Sequence, residues 1–575
     1  MAFKPRQFIS ELRRRKVYHV AVAYVVVGWG VSGGAEFLFG DVLGLQAVIW
    51  RAVMALVILG FPIALVLAWA YEVRPEPSPA AAEVADEAME PSSETSSGIQ
   101  PEDRSIAVLP FESLSADPEG DYFADGITEE ITNALAKQKG LRVAARTSAF
   151  VFKGGRIDIR EIGQRLNVVH VVEGSVRRSD RVLRITAQLI DARNGYHLWS
   201  EQFDRDHGEI FEIQGEIALA VAGRLLEEVP GVDAAGKPTS AVLKPVVPKA
   251  ELSAYDSYLK GRQAMAAFSP HTLAEAVGHF ETAIRLDDRF APALASLAEA
   301  LTMQSIGFSS HPPRETLPRA GEAAARALEL DPQLPEAHLA QALYRMYWER
   351  DYPAAKAALD RALDLNPNFA NAYLWAEFHA TYVEYDFQKA LASLRQAREL
   401  SRLDVRYRGR LGTVNMLFGE YDTAERLFLE EIADDPTDPM PHVGLGDAYI
   451  RSGRLDEAVD LAGKALALGG HHPVFLGVAA VFYGAGGASE KAEELLSELE
   501  ELAKTGQGSN CWLGLTYAGL GRMDEAFESL TKAAEQKDGS MIYLFHAPRQ
   551  LGLHQDPRFI PLLETLNLGH LARFI

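Results

Sequence analysis

The stretch Leu445–Leu468, LGDAYIRSGRLDEAVDLAGKALAL, reads as two short amphipathic helices joined by the turn SGR. Small residues at Gly446 and Ala458 allow the two helices to touch, and Tyr449 fills the space between them. A hairpin of this size cannot bury both of its apolar faces alone. The stretch therefore predicts that similar hairpins occur elsewhere in the chain.

Alanine recurs along the chain in phase with Ala458. Successive alanines are 34 or 35 residues apart, except for one step of 44 residues that contains the loop-forming sequence GFSSHPPR. A second small position also repeats, although Glu431 and Leu499 depart from it. The two series are Ala276, Ala320, Ala355, Ala390, Ala424, Ala458, Ala492 and Ala526, and Ala283, Ala327, Ala362, Ala397, Ala465 and Ala533.

This order of small and aromatic positions resembles the tetratricopeptide repeat, roughly from Ala254 to Asp538. The resemblance implies an all-alpha, right-handed superhelix of helical hairpins. We expect about eight repeats in residues 253–540 and a helical cap over residues 541–575.

Composition limits the classes of partner. The chain has 575 residues and a formal net charge of -22, so we expect no nucleic-acid partner, since phosphate binding requires a concentrated positive field. Cys511 is the single cysteine, which excludes an intrachain disulfide.

Two uncharged runs of 19 residues, Val17–Ala35 and Ala52–Ala70, are each long enough to span a bilayer. They predict a transmembrane hairpin of two helices over residues 17–73, with the lipid bilayer as a partner. A cleaved signal peptide is the alternative for the first run, but no cleavage site follows it.

Charge bias predicts the orientation of this hairpin. Six basic residues precede Val17 and none lies between Glu36 and Trp50, so residues 1–16 are expected in the cytoplasm. The expected location is then the bacterial inner (plasma) membrane, multi-pass, with the soluble part cytoplasmic. If only the second run spans, the soluble part is periplasmic.

Between membrane and repeats we expect a disordered linker over residues 74–103, a small alpha/beta domain over residues 104–229 and a second linker over residues 230–252. The phrases IAVLPF, YFADGITEEI, VEGSVRR, LRITAQLIDARNGYHLWSEQFDR and FEIQGEIA resemble the amino-terminal domain of bacterial TolB-like and FlgO-like proteins. The predicted membrane hairpin also resembles the anchor of that family. The resemblance implies an envelope or signalling protein, related to proteins that carry cyclase or winged-helix modules.

Candidate chemical sites are weak. Asp125 and Glu129 share a helical face with Asp121 and Glu130 nearby, but acids in a first helical turn are commoner as dipole partners. The pair His471-His472 follows two glycines and lacks a third ligand at zinc spacing. Gly154-Gly155 is not part of a phosphate-binding motif, and no nucleophile elbow or HExxH is present. We therefore expect no catalytic, cofactor-binding or metal-binding residues, and we expect that the protein is not an enzyme.

Aromatic residues concentrate on the first helices of two neighbouring repeats, next to arginines, and such surfaces suit peptide binding. The alternative is that they fill the core. The candidate partner-binding residues are Tyr344, Tyr347, Trp348, Tyr373, Trp375, Phe378, Tyr382, Arg406, Arg410, Asp447 and Arg451.

Together these features predict a membrane-anchored scaffold or signalling adaptor that binds a protein partner through its repeats. The alternative is a component of a cyclase-type or transcriptional signalling system that has a sensory alpha/beta domain and no catalytic module of its own.

Overall fold

The computed structural model of the protein describes residues 104–225 and 252–575, apart from residues 115–119, 139, 156, 179–181, 207–209, 267–268, 307–310, 404–405 and 505–507. All of these residues fall in one unit, Glu94–Ile575. They form a mixed sheet with flanking helices, a run of helical hairpins, and a carboxyl-terminal segment of short turns.

The sheet has the strand order β3-β1-β4-β5-β6, and β2 pairs with β4. β1 runs parallel to both β3 and β4, whereas β4, β5 and β6 are antiparallel. The turn between β5 and β6 is fixed by the Asp191 carboxylate, which accepts from the Arg193 amide at 2.9 Å, and by Gly195 at φ 79°. The strands are β1 Ser105–Val108, β2 Glu112–Ser113, β3 Arg142–Val143, β4 His170–Arg178, β5 Val182–Asp191 and β6 Tyr196–Asp206.

Helices cover the sheet because its strands alternate apolar side chains between the two faces. On one face Ile106 and Val172 pack against the helices Gly120–Ala136 and Ile210–Leu225. On the other face Ala107 packs with residues of the helix Ile159–Leu166. The first of these clusters also includes residues of the helical hairpins, so the sheet domain and the hairpins share a core.

Eight helical hairpins follow within the described residues, numbered here in chain order. Hairpin 1 comprises Leu252–Ala266 and Pro270–Leu286, hairpin 2 Ala291–Ile306 and Pro313–Leu330, hairpin 3 Pro335–Tyr344 and Tyr352–Leu365, and hairpin 4 Ala370–His379 and Phe387–Leu400. Hairpin 5 comprises Arg406–Leu417 and Tyr421–Asp434, hairpin 6 Met440–Ser452 and Leu455–Gly469, hairpin 7 Pro473–Ala485 and Ser489–Lys504, and hairpin 8 Asn510–Gly519 and Met523–Glu535.

The small positions explain how the hairpins stack. Every alanine in the series from Ala276 to Ala526 is 0% exposed. Gly446 admits the Phe482 ring of the next hairpin so closely that an added Cβ would lie 2.2 Å from it. Gly453, at φ 81°, ends the first helix of hairpin 6 in a left-handed conformation that glycine adopts without strain.

Hairpins 3 and 4 depart from this regular form. Their first helices continue as π-helical turns, Arg345–Glu349 and Ala380–Glu384. Each turn is followed by a non-glycine residue with positive φ, Arg350 at 58° and Tyr385 at 55°. Such turns are rare and often lie at functional sites.

The chain after hairpin 8 does not form another hairpin. It runs through the 3-10 turns Gly539–His546, Arg549–Leu551 and Leu553–Gln555, the helix Phe559–Thr565 and the 3-10 turn Gly569–Phe574. We call residues 539–574 the carboxyl-terminal segment.

The predicted fold class is corrected in one respect, the transmembrane helical hairpin. No helix between residues 104 and 575, among those described, is both long and apolar enough to cross a bilayer. The reason is visible in Pro313–Leu330, an 18-residue helix with Arg314, Glu322 and Arg326 distributed along it. Charged residues at such intervals belong to helices with one solvated face.

The predicted location, a multi-pass protein of the inner membrane with a cytoplasmic or periplasmic soluble part, is corrected as well, because it depended on the transmembrane hairpin. The bilayer is accordingly withdrawn as a partner. Three of the predicted segments lie outside the described residues: the basic segment at 1–16, the membrane hairpin at 17–73 and the first linker at 74–103. Most of the second linker, at 230–252, also lies outside them.

Candidate functional site

The first helices of hairpins 3 to 6 and their π-helical turns lie side by side: Tyr347 contacts Trp375, Arg410 pairs with Glu377, and the helix Arg406–Leu417 contacts the helix Met440–Ser452. We call the surface made by residues 335–349, 370–384, 406–417 and 440–452 the inner face. Ten of the eleven sequence-predicted residues have described side chains on or beside this face. For Arg406 the structure gives only its place at the start of the helix Arg406–Leu417.

Four of the predicted aromatic residues come together in a cluster. The Phe378 ring centroid lies 4.5 Å from that of Tyr382 and 5.3 Å from that of Trp375. The Tyr347 ring lies 6.2 Å from both Trp375 and Phe378. These distances are typical of aromatic pairs that stabilise a core or an interface. We refer to Tyr347, Trp375, Phe378 and Tyr382 as the aromatic cluster.

Arg410 lies beside this cluster with its charge already paired. Its guanidinium donates two hydrogen bonds of 2.7 Å to the Glu377 carboxylate, which also accepts from the Thr381 hydroxyl at 2.7 Å. Glu377 is 0% exposed, and burial raises its pKa in opposition to the nearby charge of Arg410. The pair holds hairpins 4 and 5 together, so Arg410 does not offer a free charge to a partner carboxylate.

Asp447 and Arg451 form a second pair one hairpin further along. Arg451 donates to the two Asp447 carboxylate oxygens at 3.0 and 3.2 Å. The same guanidinium donates to the main-chain carbonyl of His546, and the Gln550 amide donates to the Arg451 carbonyl at 3.0 Å. Arg451 is therefore directed at a polypeptide backbone that lies on the inner face.

That backbone belongs to the carboxyl-terminal segment. Its Tyr543 ring lies 4.8 Å from Tyr382 and 5.8 Å from Phe378, and its His546 ring lies 5.2 Å from Tyr382. The inner face is thus occupied by the chain itself. The sequence interpretation treated residues 541–575 only as a helical cap, although the apolar run MIYLF at residues 541–545 is a signal of burial.

The remaining predicted residues lie away from this contact. Tyr344 packs against Gly321, where an added Cβ would lie 2.4 Å from its ring, so it joins hairpins 2 and 3. Tyr373 is partly buried, which raises its pKa. Trp348 has the Lys537 ammonium 5.9 Å from its ring centroid.

The acidic residues considered as a chemical site join the sheet domain to hairpin 1. The Glu129 carboxylate forms ion pairs with the guanidinium groups of Arg262 and Arg146, the latter at 3.2 Å. Partial burial and the charge of Glu129 raise the pKa of Glu130 to about 7. Asp125 pairs with Lys153 at 2.6 Å. These contacts are structural, although they are ion pairs between elements and not the helix-dipole role that the sequence favoured for these acids, since only Asp121 lies in the first turn of Gly120–Ala136.

The other candidates also have structural partners. The His471 Nδ1 atom lies 2.9 Å from Glu498, and His472 caps the helix Pro473–Ala485 by accepting from the Val474 amide at 3.4 Å. Burial raises the pKa of Cys511. The described part of the chain contains no group of three or more His, Cys, Asp or Glu side chains arranged to hold a metal ion.

Sequence reasoning also missed the contact between the sheet domain and hairpin 4. The Asn368 amide donates to the carbonyls of Ala136 and Leu141 at 3.0 Å, and its oxygen accepts from the Val143 amide at 3.0 Å. Arg142 pairs with Glu399 at 3.1 Å. Because these partners are more than 200 residues apart in sequence, no local pattern announces them.

Three family models match the chain. Residues 102–219 match the second domain of HilA/YgeH-like transcriptional regulators, and residues 385–439 and 508–538 match tetratricopeptide repeat models. A protein of Rhizobium meliloti (strain 1021) called putative adenylate cyclase 3 is 36% identical over 246 residues, which are 43% of this chain. The match spans 40% of that relative's length.

Solved structures that match part of the chain include a human IFIT1 dimer with PPP-AAAA, at 17% identity and a TM-score of 0.37 over 50% of this chain and 72% of that one. YrrB, described as a TPR protein with an unusual peptide-binding site, is 22% identical with a TM-score of 0.25, over 34% of this chain and 95% of that one. The family models confirm the prediction that this chain carries tetratricopeptide repeats.

Proposed function

We propose that this protein is a non-enzymatic protein-interaction scaffold whose repeats bind a partner polypeptide on the inner face. The observation that supports the proposal most strongly is that the inner face already holds a polypeptide, the turn Gly539–His546 of the same chain. Its aromatic cluster contacts side chains of that turn, and Arg451 contacts a main-chain carbonyl. Both are features that a partner polypeptide can present.

Photo-crosslinking in intact cells tests this proposal. A photoreactive p-benzoylphenylalanine replaces Trp375, which is partly buried beside Tyr347 and Phe378. The matched control carries it at Tyr196, which is 73% exposed on β6. We expect a discrete adduct with one protein from position 375 and not from position 196. Equal adduct patterns at the two positions, or none at position 375, would exclude the inner face as the binding surface.

A second candidate function is supported by the comparisons: a component of a cyclase-type or transcriptional signalling system. The similarity to the putative adenylate cyclase and the match of residues 102–219 to a transcriptional-regulator domain favour it. The resemblance of that region to TolB-like and FlgO-like proteins stays a prediction, and in this candidate function the alpha/beta domain senses a ligand.

An assay of the purified full-length chain separates an adaptor in such a system from an enzyme. With ATP and Mg²⁺ or Mn²⁺ we expect no cyclic AMP above the buffer control. Production of cyclic AMP in proportion to protein concentration would show that the chain is an enzyme and would end the scaffold proposal in its non-enzymatic form.

A further inference from the structure

A buried arginine without a counter-ion follows the first helix of hairpin 3. Arg350 comes directly after the π-helical turn Arg345–Glu349 and is 7% exposed. Among the described residues no carboxylate forms an ion pair with its guanidinium, and its Nη2 atom is buried without a hydrogen-bond partner. Buried charges are normally paired, because their removal from water is otherwise unfavourable. Arg350 is therefore a buried cation that lacks its anion.

Asp538 is the carboxylate whose charge acts on Arg350, but its oxygens are already used. Burial lowers the pKa of Arg350, and the charge of Asp538 opposes this effect. The Asp538 carboxylate accepts from the Ser509 hydroxyl at 2.7 Å and from the Ser540 amide at 2.9 Å, where it caps the turn Gly539–His546. It also accepts from the Cys511 amide at 3.4 Å. Asp538 thus holds the main chain and makes no direct pair with Arg350.

Lys537 adds a second positive charge at the same place. Burial and the charge of Arg350 both lower the pKa of Lys537. Its ammonium lies 5.9 Å from the ring centroid of Trp348, which is two residues before Arg350. Two like charges held near each other raise the free energy of the folded chain unless an anion is bound between them.

The main chain adopts an unfavourable conformation to place these two cations. Arg350 has φ 58° and Lys537 has φ 59°, in the left-handed region that residues other than glycine rarely adopt. Asn567, whose amide donates to the Arg350 carbonyl at 3.0 Å, has φ 59°. In the part of the chain that the structure describes, three of the five such non-glycine residues therefore meet here. Strain of this kind collects at ligand sites.

We propose that Arg350 and Lys537 bind a phosphate group beside the ring of Trp348. A guanidinium presents planar donors that match phosphate oxygens, and an ammonium adds a compact charge. Two cations match a phosphate dianion better than a carboxylate, which carries a single charge. Lys537 and Trp348 are only half-buried, so the site opens to solvent on their side. The bound anion connects hairpin 3 to the end of hairpin 8, a role beyond that of a scaffold.

Thermal melting of the full-length chain in increasing sodium phosphate tests the site, with ionic strength held constant by sodium chloride. A ligand that binds the folded chain raises the melting midpoint with its concentration. Phosphate also stabilises proteins generally, and this effect is shared by all variants. We expect a larger rise in the wild type than in Arg350→Met. Equal rises in the two proteins, or no difference between phosphate and chloride, would overturn the proposal.

A second pair of variants tests the other cation. Lys537→Met should weaken the apparent affinity for phosphate about tenfold, because one charged donor is lost. Lys532→Met is the matched control, since Lys532 is exposed on the helix Met523–Glu535 shortly before it, and should leave the affinity unchanged. An unchanged affinity in Lys537→Met would overturn the site, and this result does not depend on whether Arg350→Met folds.

The melting midpoint without phosphate separates a ligand site from a purely structural arginine. Methionine retains most of the apolar stem of Arg350 and removes the unpaired charge. We therefore expect Arg350→Met to melt no lower than the wild type without phosphate, and below it at saturating phosphate. A variant that melts lower by the same amount in both conditions would show that Arg350 only supports the fold, and would overturn the proposal.

The same titration with other anions identifies the source of the phosphate group. Acetate should bind at least about tenfold more weakly than phosphate, because it carries one charge. Equal binding of acetate would overturn the choice of phosphate. Adenosine monophosphate that binds more tightly than inorganic phosphate in the wild type, but not in Trp348→Ala, would assign the site to a phosphate ester with an aromatic group. Equal binding of the two would assign it to free phosphate, and both results support the site.

Discussion

Glu377 and Arg410 show how single residues hold the inner face together. The Glu377 carboxylate is fully buried and receives two hydrogen bonds from Arg410. Replacement of one partner of such a pair leaves a buried charge without compensation, whereas an exposed pair contributes little. The sequence placed Arg410 in the candidate site but gave no sign that its charge was already paired.

Arg410→Met is therefore expected to lower the free energy of unfolding by about 3–5 kcal/mol, because Glu377 loses its partner. Chemical denaturation of the full-length chain measures the change. Lys356→Met provides the matched control, since Lys356 pairs with Asp360 on the exposed surface at 2.7 Å. A loss of less than about 1 kcal/mol in Arg410→Met would show that Glu377 is solvated or protonated in the folded chain.

His546 predicts a dependence of stability on pH. Burial, together with the charge of Arg451, lowers its pKa from 6.5 to about 3. Below pH 6.5 the unfolded chain binds a proton that the folded chain does not, so stability is lost as the pH falls from 6.5 toward 3. Between pH 7 and pH 5 this residue should remove about 2 kcal/mol.

The variant His546→Phe isolates this contribution from those of other groups, such as Glu130, whose raised pKa acts in the opposite direction. Denaturant unfolding at pH 7 and pH 5 should show the wild type losing about 2 kcal/mol more than the variant. Parallel pH profiles for the two proteins would mean that the imidazole is protonated or exposed in the folded state.

At the scale of the element, the hairpins follow from the period of small residues. Ala458 is 0% exposed between the two helices of hairpin 6. Ala458→Leu should lower the free energy of unfolding by about 1–3 kcal/mol through overpacking. Ala467→Leu on the exposed side of the same helix is the control and should have little effect. Thermal melting measures both variants, and equal midpoints would place Ala458 at the surface.

The departures from the period show what a local pattern can and cannot predict. Glu431 replaces an alanine, and the structure compensates on the facing helix: a Cβ at Gly409 would lie 3.1 Å from the Glu431 carboxylate. The combination of a large residue at position 431 and a glycine at position 409 can be recognised in the sequence once the two helices are aligned. The π-helical turns at Arg345–Glu349 and Ala380–Glu384 cannot be read from the sequence in this way, since the residues that follow them with positive φ, Arg350 and Tyr385, are ones that helices ordinarily accommodate.

At the scale of the whole molecule, Asn368 fixes the sheet domain against the repeats. Its amide group makes three hydrogen bonds of 3.0 Å to main-chain atoms of Ala136, Leu141 and Val143. Asn368→Ala leaves these groups without their partner and should cost about 1–3 kcal/mol. Gln333→Ala is the control, because Gln333 occupies the corresponding loop position one hairpin earlier and is exposed.

Hydrogen exchange gives the local readout of this prediction. Amides of Leu141, Val143 and the end of Gly120–Ala136 should exchange faster in Asn368→Ala than in Gln333→Ala. Equal exchange in the two variants would show that the shared core, and not Asn368, fixes the sheet domain in place.

The sequence predicted the parts of this molecule better than their assembly. Periodicity identified the hairpins because each repeat contacts its neighbours through residues a fixed distance apart. The docking of the sheet domain and the placement of the carboxyl-terminal segment depend on contacts such as Arg142 with Glu399 and Asn567 with Arg350, more than 200 residues apart. The number of aromatic residues in two neighbouring repeats pointed to Tyr347, Trp375, Phe378 and Tyr382, whose role in partner binding stays a prediction, but no local pattern indicated that Tyr543 and His546 contact them.

The central claim is that the turn Ser540–His546 of the same chain occupies the aromatic cluster. A photoreactive p-benzoylphenylalanine at Tyr543 tests it most directly in the purified full-length protein, because that ring lies 4.8 Å from Tyr382 and 5.8 Å from Phe378. After illumination and digestion, mass spectrometry should find a crosslink within one molecule to the peptide that contains residues 378–385. Crosslinks to a second molecule or to another region, or the absence of a crosslink, would contradict the account.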